Sequence, residues 1–380
     1  MEKHQTNIYW FNWPAHVGGS DTKFVHTLRL LAGEYHITVI PNDAGYYADP
    51  MWLDYLAGLG VKTALLHELP AQLDGWAISL CNGLFIKNGM LGDCLRRGLR
   101  VIWSSEMMWH FYGELEAVRF GLIHRVLYVS AAQRRLLEPG YRWALSGEPR
   151  RPSTPPDVPL EDADAWHGRL NGPEGRGIDW IMSGNYIDPT QFPFRARGVK
   201  NPGDPFTIGR VSRPDPDKFP DDFPLSYERL GLREPVRFRV LGWSDQMAAR
   251  WPDHFYDERW DLVPTAGEPV TTFLDSLDIL VYDLSPRFKE SWGRAVVEAM
   301  LSGVVPLVPR GGGHHLEHLV PHGVGGYLCD GPEDFARHAR ALQDDPALLA
   351  RLSLGARNWA TEHLCNASEH LTIWRQVFAD

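Results

Sequence analysis

From Asn7 onward, short runs of β-branched and aromatic residues alternate with longer segments whose apolar side chains recur every three or four positions. That alternation predicts repeated βα units and a parallel sheet. In the first half the spacing predicts strands over 8–13, 36–41, 61–65, 76–81, 100–103 and 125–129, with helices such as 22–31 and 133–137 between them. From 148 to 173 the chain turns to Pro, Gly and acidic residues with little periodicity, which predicts a long loop and a domain crossing near or after it. A second alternating series begins at Pro205, with strands expected over 206–209, 236–241, 279–282 and 304–308. The last segment, 343–380, reads as helices, the final one able to pack back across both domains.

A chain of 380 residues exceeds one ordinary core and suits two α/β domains. Its 44% hydrophobic and 23% charged residues supply two cores and exclude a disordered chain. The formal net charge of -10 argues against a nucleic-acid partner while leaving room for a local basic cleft. Cys81, Cys94, Cys329 and Cys365 form no Cys-x-x-Cys pair, so they read as buried thiols in a reducing compartment. The polar start runs straight into a short apolar stretch, without a signal-peptide layout, and no later run is long enough to span a bilayer. A cytoplasmic location is expected.

Candidate chemistry concentrates between 285 and 330. A strand ending at Tyr282 leads into a loop with Phe288, Lys289 and Glu290, after which Ser291 is a candidate N-cap for a helix to about Leu301, stopped by Gly303. Glu290 in the loop and Glu298 two turns into the helix can face one cleft and accept charge-assisted hydrogen bonds from sugar hydroxyls. The next strand feeds Gly311, Gly312 and Gly313 and a helical segment near His314, where backbone N–H groups can approach a diphosphate. Taken alone, two glutamates eight apart are solvated helix residues; beside the glycine run they read as a ligand site.

In this order, Glu290, Glu298-Ala299-Met300, Gly303, the Gly311 to Gly313 loop with Glu317, and Gly325-Gly326-Tyr327-Leu328 resemble the donor-binding signature of family 4 retaining glycosyltransferases. Gly18-Gly19 after the first strand resembles that family's glycine-rich loop. Val129-Ser130, the turn Ser183-Gly184-Asn185-Tyr186-Ile187-Asp188, and Gly209-Arg210-Val211 with Lys218 resemble further segments of it. The resemblance runs from about residue 8 to about residue 330 and is strongest in the second half.

It implies a GT-B fold: two Rossmann-like domains facing across a cleft, an acceptor-side domain over 1–185, a nucleotide-sugar domain over 186–360, and a terminal helix over 361–380. It implies transfer of a sugar from a UDP- or GDP-sugar, with retention, to an unidentified acceptor, whether saccharide, lipid-linked or small molecule. Arg210 and Lys218 are assigned to the phosphates, Glu290 to the sugar and Glu298 to the ribose. Arg210, Lys218 and Glu290 are the catalytic candidates, and Gly18, Gly19, Phe288, Lys289, Ser291, Gly312 and Gly313 complete the binding set. No metal and no cofactor beyond the donor are implied. A GT-B epimerase, an inverting transferase and a silent nucleotide-sugar-binding subunit are the rival readings.

The chain departs from the family pattern in three places. Where the family has a histidine after the fifth strand, this chain reads Ser104-Ser105-Glu106, with His110 nearby, and neither Glu106 nor His110 is assigned. The turn at 184–185 reads Gly-Asn instead of Asn-Gly. A Pro- and Asp-rich insertion separates Arg210 from Lys218, so Arg213 is an alternative second cation. Asp162/Asp164 and Asp215/Asp217 are chance-level Asp-x-Asp matches, and the histidines at 314, 315 and 318 fit anion binding or packing better than a metal. Trp13, Trp52 and Trp109 are candidates for stacking on an acceptor. Lys87, Arg96, Arg97 and Arg100 near Phe85, Leu91 and Leu95 leave a membrane-surface contact open, against the plainer reading of a solvated helix face.

Overall fold

A computed structural model describes residues 6–15, 19–43, 45, 49–149 and 167–379. The chain divides into two units: Met1–Ile187 with Ala367–Asp380, and Asp188–Asn366.

Unit 1 is built on β1 (Asn7–Trp10), β2 (His36–Val39), β3 (Lys62–Thr63), β4 (Trp76–Leu80), β5 (Arg100–Ser104), β6 (Arg125–Tyr128), β7 (His167–Asn171) and β8 (Gly177–Met182). Their order is β3-β2-β1-β4-β5-β6-β8-β7, parallel throughout except for β7, which runs antiparallel to β8. Every residue of β4 and β6 is buried, as expected for parallel strands covered on both faces. Ala77, Val101 and Val126 enter one core while their neighbours Ile78, Ile102 and Leu127 enter the other, which is the period-2 alternation of a strand.

The last helix, Ala367–Val377, packs on unit 1. Trp374 is buried against Trp10, ring centroids 5.6 Å apart, and Arg125 at the start of β6 donates to the carbonyls of Val377 and Ala379, each at 2.8 Å. These bonds satisfy carbonyls that a helix end leaves without intrahelical donors. The expected helix 133–137 is the core of a longer one, Ala131–Ser146, started by the Ser130 side chain accepting from Gln133 N at 3.0 Å. The stretch expected to be a loop over 148–173 includes β7, whose Gly and charged residues hid a short edge strand, while 150–166, with Asp162 and Asp164, lie outside the described residues.

Unit 2 contains β9 (Phe206–Val211), β10 (Val236–Trp243), β11 (Trp260–Pro264), β12 (Ile279–Val281), β13 (Val305–Pro309) and β14 (Tyr327–Cys329), all parallel, in the order β11-β10-β9-β12-β13-β14. Chain direction across the sheet reverses between β9 and β12. The carboxyl ends flanking such a switch point are where open α/β sheets bind ligands. One face is an aromatic core in which Phe223 lies 5.0 Å from Trp251 and 5.2 Å from Tyr227. Phe219, Phe223 and Tyr227 of this core come from the segment between β9 and β10.

Candidate functional site

Arg210, one residue before the end of β9, is fully buried. Its guanidinium stacks on Phe219 at 4.0 Å and donates to the carbonyl oxygens of Asp283 and Lys218. Two of its nitrogens thus hold the returning chain in place, while its buried Nε has no hydrogen-bond partner among the described residues. The Pro- and Asp-rich insertion makes that return possible: Asp215 accepts from Asp217 N and caps the short turn Pro216–Lys218. The turn carries Lys218 back to the carboxyl edge of the sheet, where Ser285 N also donates to its carbonyl at 3.3 Å. Asp215 therefore has a structural use. Arg213, on the same insertion, is exposed, and its charge is felt by the Tyr282 hydroxyl.

Lys218 Nζ donates to Glu290 Oε2 at 3.2 Å and sits 4.7 Å over the Phe288 ring. The Tyr282 hydroxyl, just past β12, donates to the same Glu290 oxygen at 2.8 Å. Burial alone would raise the Glu290 carboxyl, but Lys218, the Tyr282 hydrogen bond and His314 outweigh it and hold its pKa below the usual 4.5. Glu290 is thus ionised at neutral pH. Burial and Lys289 push His314 below its usual 6.5, so its ring is neutral at pH 7. Its Nδ1 accepts the Glu290 N–H at 3.1 Å, which leaves Nε2 carrying the proton. A side chain at Gly312 would come within 3.0 Å of that Nε2, so the glycine keeps the approach open.

Gly311, Gly312 and Gly313 all have φ of 73°, a left-handed conformation that suits glycine. The helix after them is a single turn, Leu316–Leu319, and Glu317 accepts from Gly311 N at 3.2 Å. Any anion here would meet loop N–H groups and not an extended helix dipole. Lys289 Nζ reaches across to the Gly312 carbonyl. Glu298 lies on the helix Arg294–Leu301, paired with Arg294 at 2.7 Å, and burial raises its carboxyl pKa while Arg294 offsets part of the rise. The cap of that helix is Gly293, with φ of 100°, and not Ser291, which stays in the preceding loop.

In unit 1, Gly18 is outside the described residues, and Gly19 opens the helix Gly19–Leu31 with clear space around its Cα. Lys23 on that helix is buried and pairs with Glu106 at 2.9 Å, while Ser104 donates to the same Glu106 oxygen at 2.7 Å. This pair occupies the carboxyl end of β5, where the family histidine was missing. His110 instead joins a buried cluster, its Nδ1 3.3 Å from Glu114, which also accepts from the Tyr141 hydroxyl. Trp13 and Trp52 belong to the core; Trp109, 52% exposed, is available for stacking. Phe85 and Leu91 are core residues too, so the suggested membrane-facing apolar surface turns inward.

Among the described residues, no group of three or more His, Cys, Asp or Glu side chains is arranged to hold a metal, and no helix is long and apolar enough to cross a membrane. Tyr282 and Lys23 escaped sequence reasoning. Tyr282 reads as the last apolar residue of a strand, and a lone lysine on an amphipathic helix reads as solvated.

No protein-family model and no curated protein sequence matches the chain. Solved structures do. HepE from Anabaena in complex with UDP-glucose superposes with a TM-score of 0.66 at 12% identity, covering 98% of this chain and 99% of that chain. Sucrose-phosphate synthase from Thermosynechococcus elongatus gives 0.62 at 15% identity over 98% and 99%. A TarM mutant from S. aureus, in complex with Fondaparinux, alpha-GlcNAc-glycerol and UDP, gives 0.65 at 11% identity over 99% and 100%. The chain has the fold of these GT-B glycosyltransferases, with two Rossmann-like units.

Proposed function

We propose that the protein is a glycosyltransferase that moves a sugar from a nucleotide diphosphate-sugar, UDP- or GDP-linked, to an acceptor. The observation that carries this reading is the Lys218–Glu290 pair at the switch point of unit 2, with Glu298 on the following helix. Cleaving the bond between the sugar's anomeric carbon and the diphosphate sends the electron pair to the leaving phosphate oxygen. Lys218 and Arg213 would stabilise that charge with the N–H groups of Gly312 and Gly313, while Arg210 fixes the Lys218 backbone. Glu290, ionised and held by Tyr282, would accept from a sugar hydroxyl, and the Nε2–H of His314 would donate beside the glycine loop. Glu298 would accept from the ribose hydroxyls. Retention of anomeric configuration belongs to the same proposal.

The fold shared with UDP-bound glycosyltransferases supports the donor class, and the sequence of motifs supports the assignments within it. Calorimetric titration with UDP, GDP, ADP and TDP, alone and as sugar conjugates, tests the reading. Selective micromolar binding of one nucleotide supports it and names the base; no binding by any of them overturns it. Product stereochemistry by NMR tests retention.

A further inference from the structure

We propose that a cavity at the amino-terminal edge of the unit 1 sheet is a second binding site, built for a small molecule or headgroup that carries a phosphate. Trp76, Arg100, Arg125 and Gly177, the first residues of β4, β5, β6 and β8, line it, whereas Glu106 and Asn12 stand at the opposite edge of the same sheet. The cavity is half-open, with a volume of about 770 Å³. That falls within the roughly 300–1,000 Å³ of typical small-molecule sites.

The charge is the telling feature. Among the described residues, Arg100, Arg119, Arg125, Arg169 and Arg176 line this one cavity with Glu174 and Asp179 as the acidic side chains, in a chain whose formal net charge is -10. No lysine contributes among the described residues. Planar guanidinium forks match phosphate oxygens two at a time, which a lysine ammonium does not.

The five arginines divide the work. Arg100 and Arg125 form the floor, 3.9 and 4.4 Å over the Trp76 ring, with Arg125 anchored to the carbonyls of the last helix. Arg119, Arg169 and Arg176 form the rim. Arg169 has no acceptor among the described residues, and it lies across Gly177, where any side chain would collide with its Nε. Among the described residues Arg119 makes only long bonds, 3.3 and 3.4 Å, to the carbonyls of Gly147 and Glu148. Arg176 pairs with Glu174, and both are exposed, so water or a ligand exchanges with that pair at little cost. His124 Nδ1 accepts from Val101 N at 3.0 Å, which leaves its Nε2–H as one more donor. Burial, Arg100 and Arg125 together lower the His124 pKa, a local sign of the same positive field. Ile123 and Phe120 give apolar wall for an organic portion, Phe120 being 66% exposed.

The test uses the full chain and calorimetry with inorganic phosphate and pyrophosphate, repeated in Lys218→Ala to remove the candidate phosphate cation of unit 2. Binding is expected to persist in Lys218→Ala and to weaken by about tenfold or more in Arg169→Ala/Arg176→Ala, the loss of two charge-assisted donors. Both rim side chains are exposed, so an unchanged melting temperature is expected and confirms that the double variant is folded. A parallel arm sediments phosphatidylcholine vesicles with and without phosphatidic acid. Capture that depends on phosphatidic acid and disappears in the double variant assigns a lipid headgroup; binding of soluble phosphate alone assigns a free phosphate compound. Undiminished binding in the double variant, or none in Lys218→Ala, overturns the proposal.

Discussion

Lys218 Nζ lies 3.2 Å from the same Glu290 oxygen that accepts the Tyr282 hydroxyl, so this lysine at the switch point of unit 2 is aimed by a carboxylate and not left to roam. A preorganised cation stabilises developing charge without reorganising at the moment of reaction, and losing one such donor costs about 2.7–4 kcal/mol. Lys218→Ala is therefore expected to lower kcat by roughly a hundredfold or more. Steady-state kinetics on the donor decide this. A loss confined to KM would remove Lys218 from the transition state and leave it a binding residue.

Glu298 tests the donor site without touching the leaving group. Its carboxylate pairs with Arg294 on the helix Arg294–Leu301. Hydrogen bonds to charged groups contribute about 1.5–3 kcal/mol each. Glu298→Ala is expected to weaken nucleotide binding by about tenfold or more in calorimetry. Equal affinity in the variant and the parent would place the nucleoside elsewhere.

The C-terminal helix offers a prediction about stability alone. Trp374 is 1% exposed, packed 5.6 Å from Trp10 and 5.5 Å from Phe378, in the same core as β1 and β4. Trp374→Ala should leave a large cavity and cost about 3–5 kcal/mol. Urea unfolding measures it. A cost below about 1 kcal/mol would mean that this helix adds little to the core.

Much of this architecture is legible in the sequence because parallel strands buried on both faces announce themselves as apolar runs. The strands at 76–80, 100–104 and 125–128 are of that kind, and expected and observed limits differ by a residue. The elements that escaped have weaker signatures. β7 is an edge strand with two polar ends, and the helix Arg294–Leu301 starts at Gly293, where the left-handed cap depends on backbone and not on a side-chain acceptor like Ser291. At the candidate site, spacing singled out Glu290, Glu298 and the glycine run, but it could not separate Arg210 from Lys218. Only three dimensions show two nitrogens of one guanidinium bonded to carbonyls while the neighbouring ammonium meets Glu290. The Lys23–Glu106 pair joins residues 83 positions apart, beyond the reach of any local pattern.

The two glutamates of unit 2 should respond to pH with opposite signs. The folded pKa of Glu290 lies below the ordinary 4.5, so its contribution is fully present above that value and is lost as pH falls through the folded pKa. The folded pKa of Glu298 lies above 4.5, because burial outweighs Arg294; its contribution is present below 4.5 and is lost as pH rises through the folded value, beyond which the ionised carboxylate is a net cost. Replacing each by its neutral isostere isolates these effects. At neutral pH, Glu290→Gln should lower the melting temperature and Glu298→Gln should raise it. The Glu298→Gln difference should shrink as pH falls toward about 4.5, whereas the Glu290→Gln difference should shrink only as pH falls below it. Thermal unfolding of the three proteins from neutral pH to pH 4 reads the signs directly. A shift of the same sign in both variants would show that one of the two carboxylates does not sit in the electrostatic setting described for it.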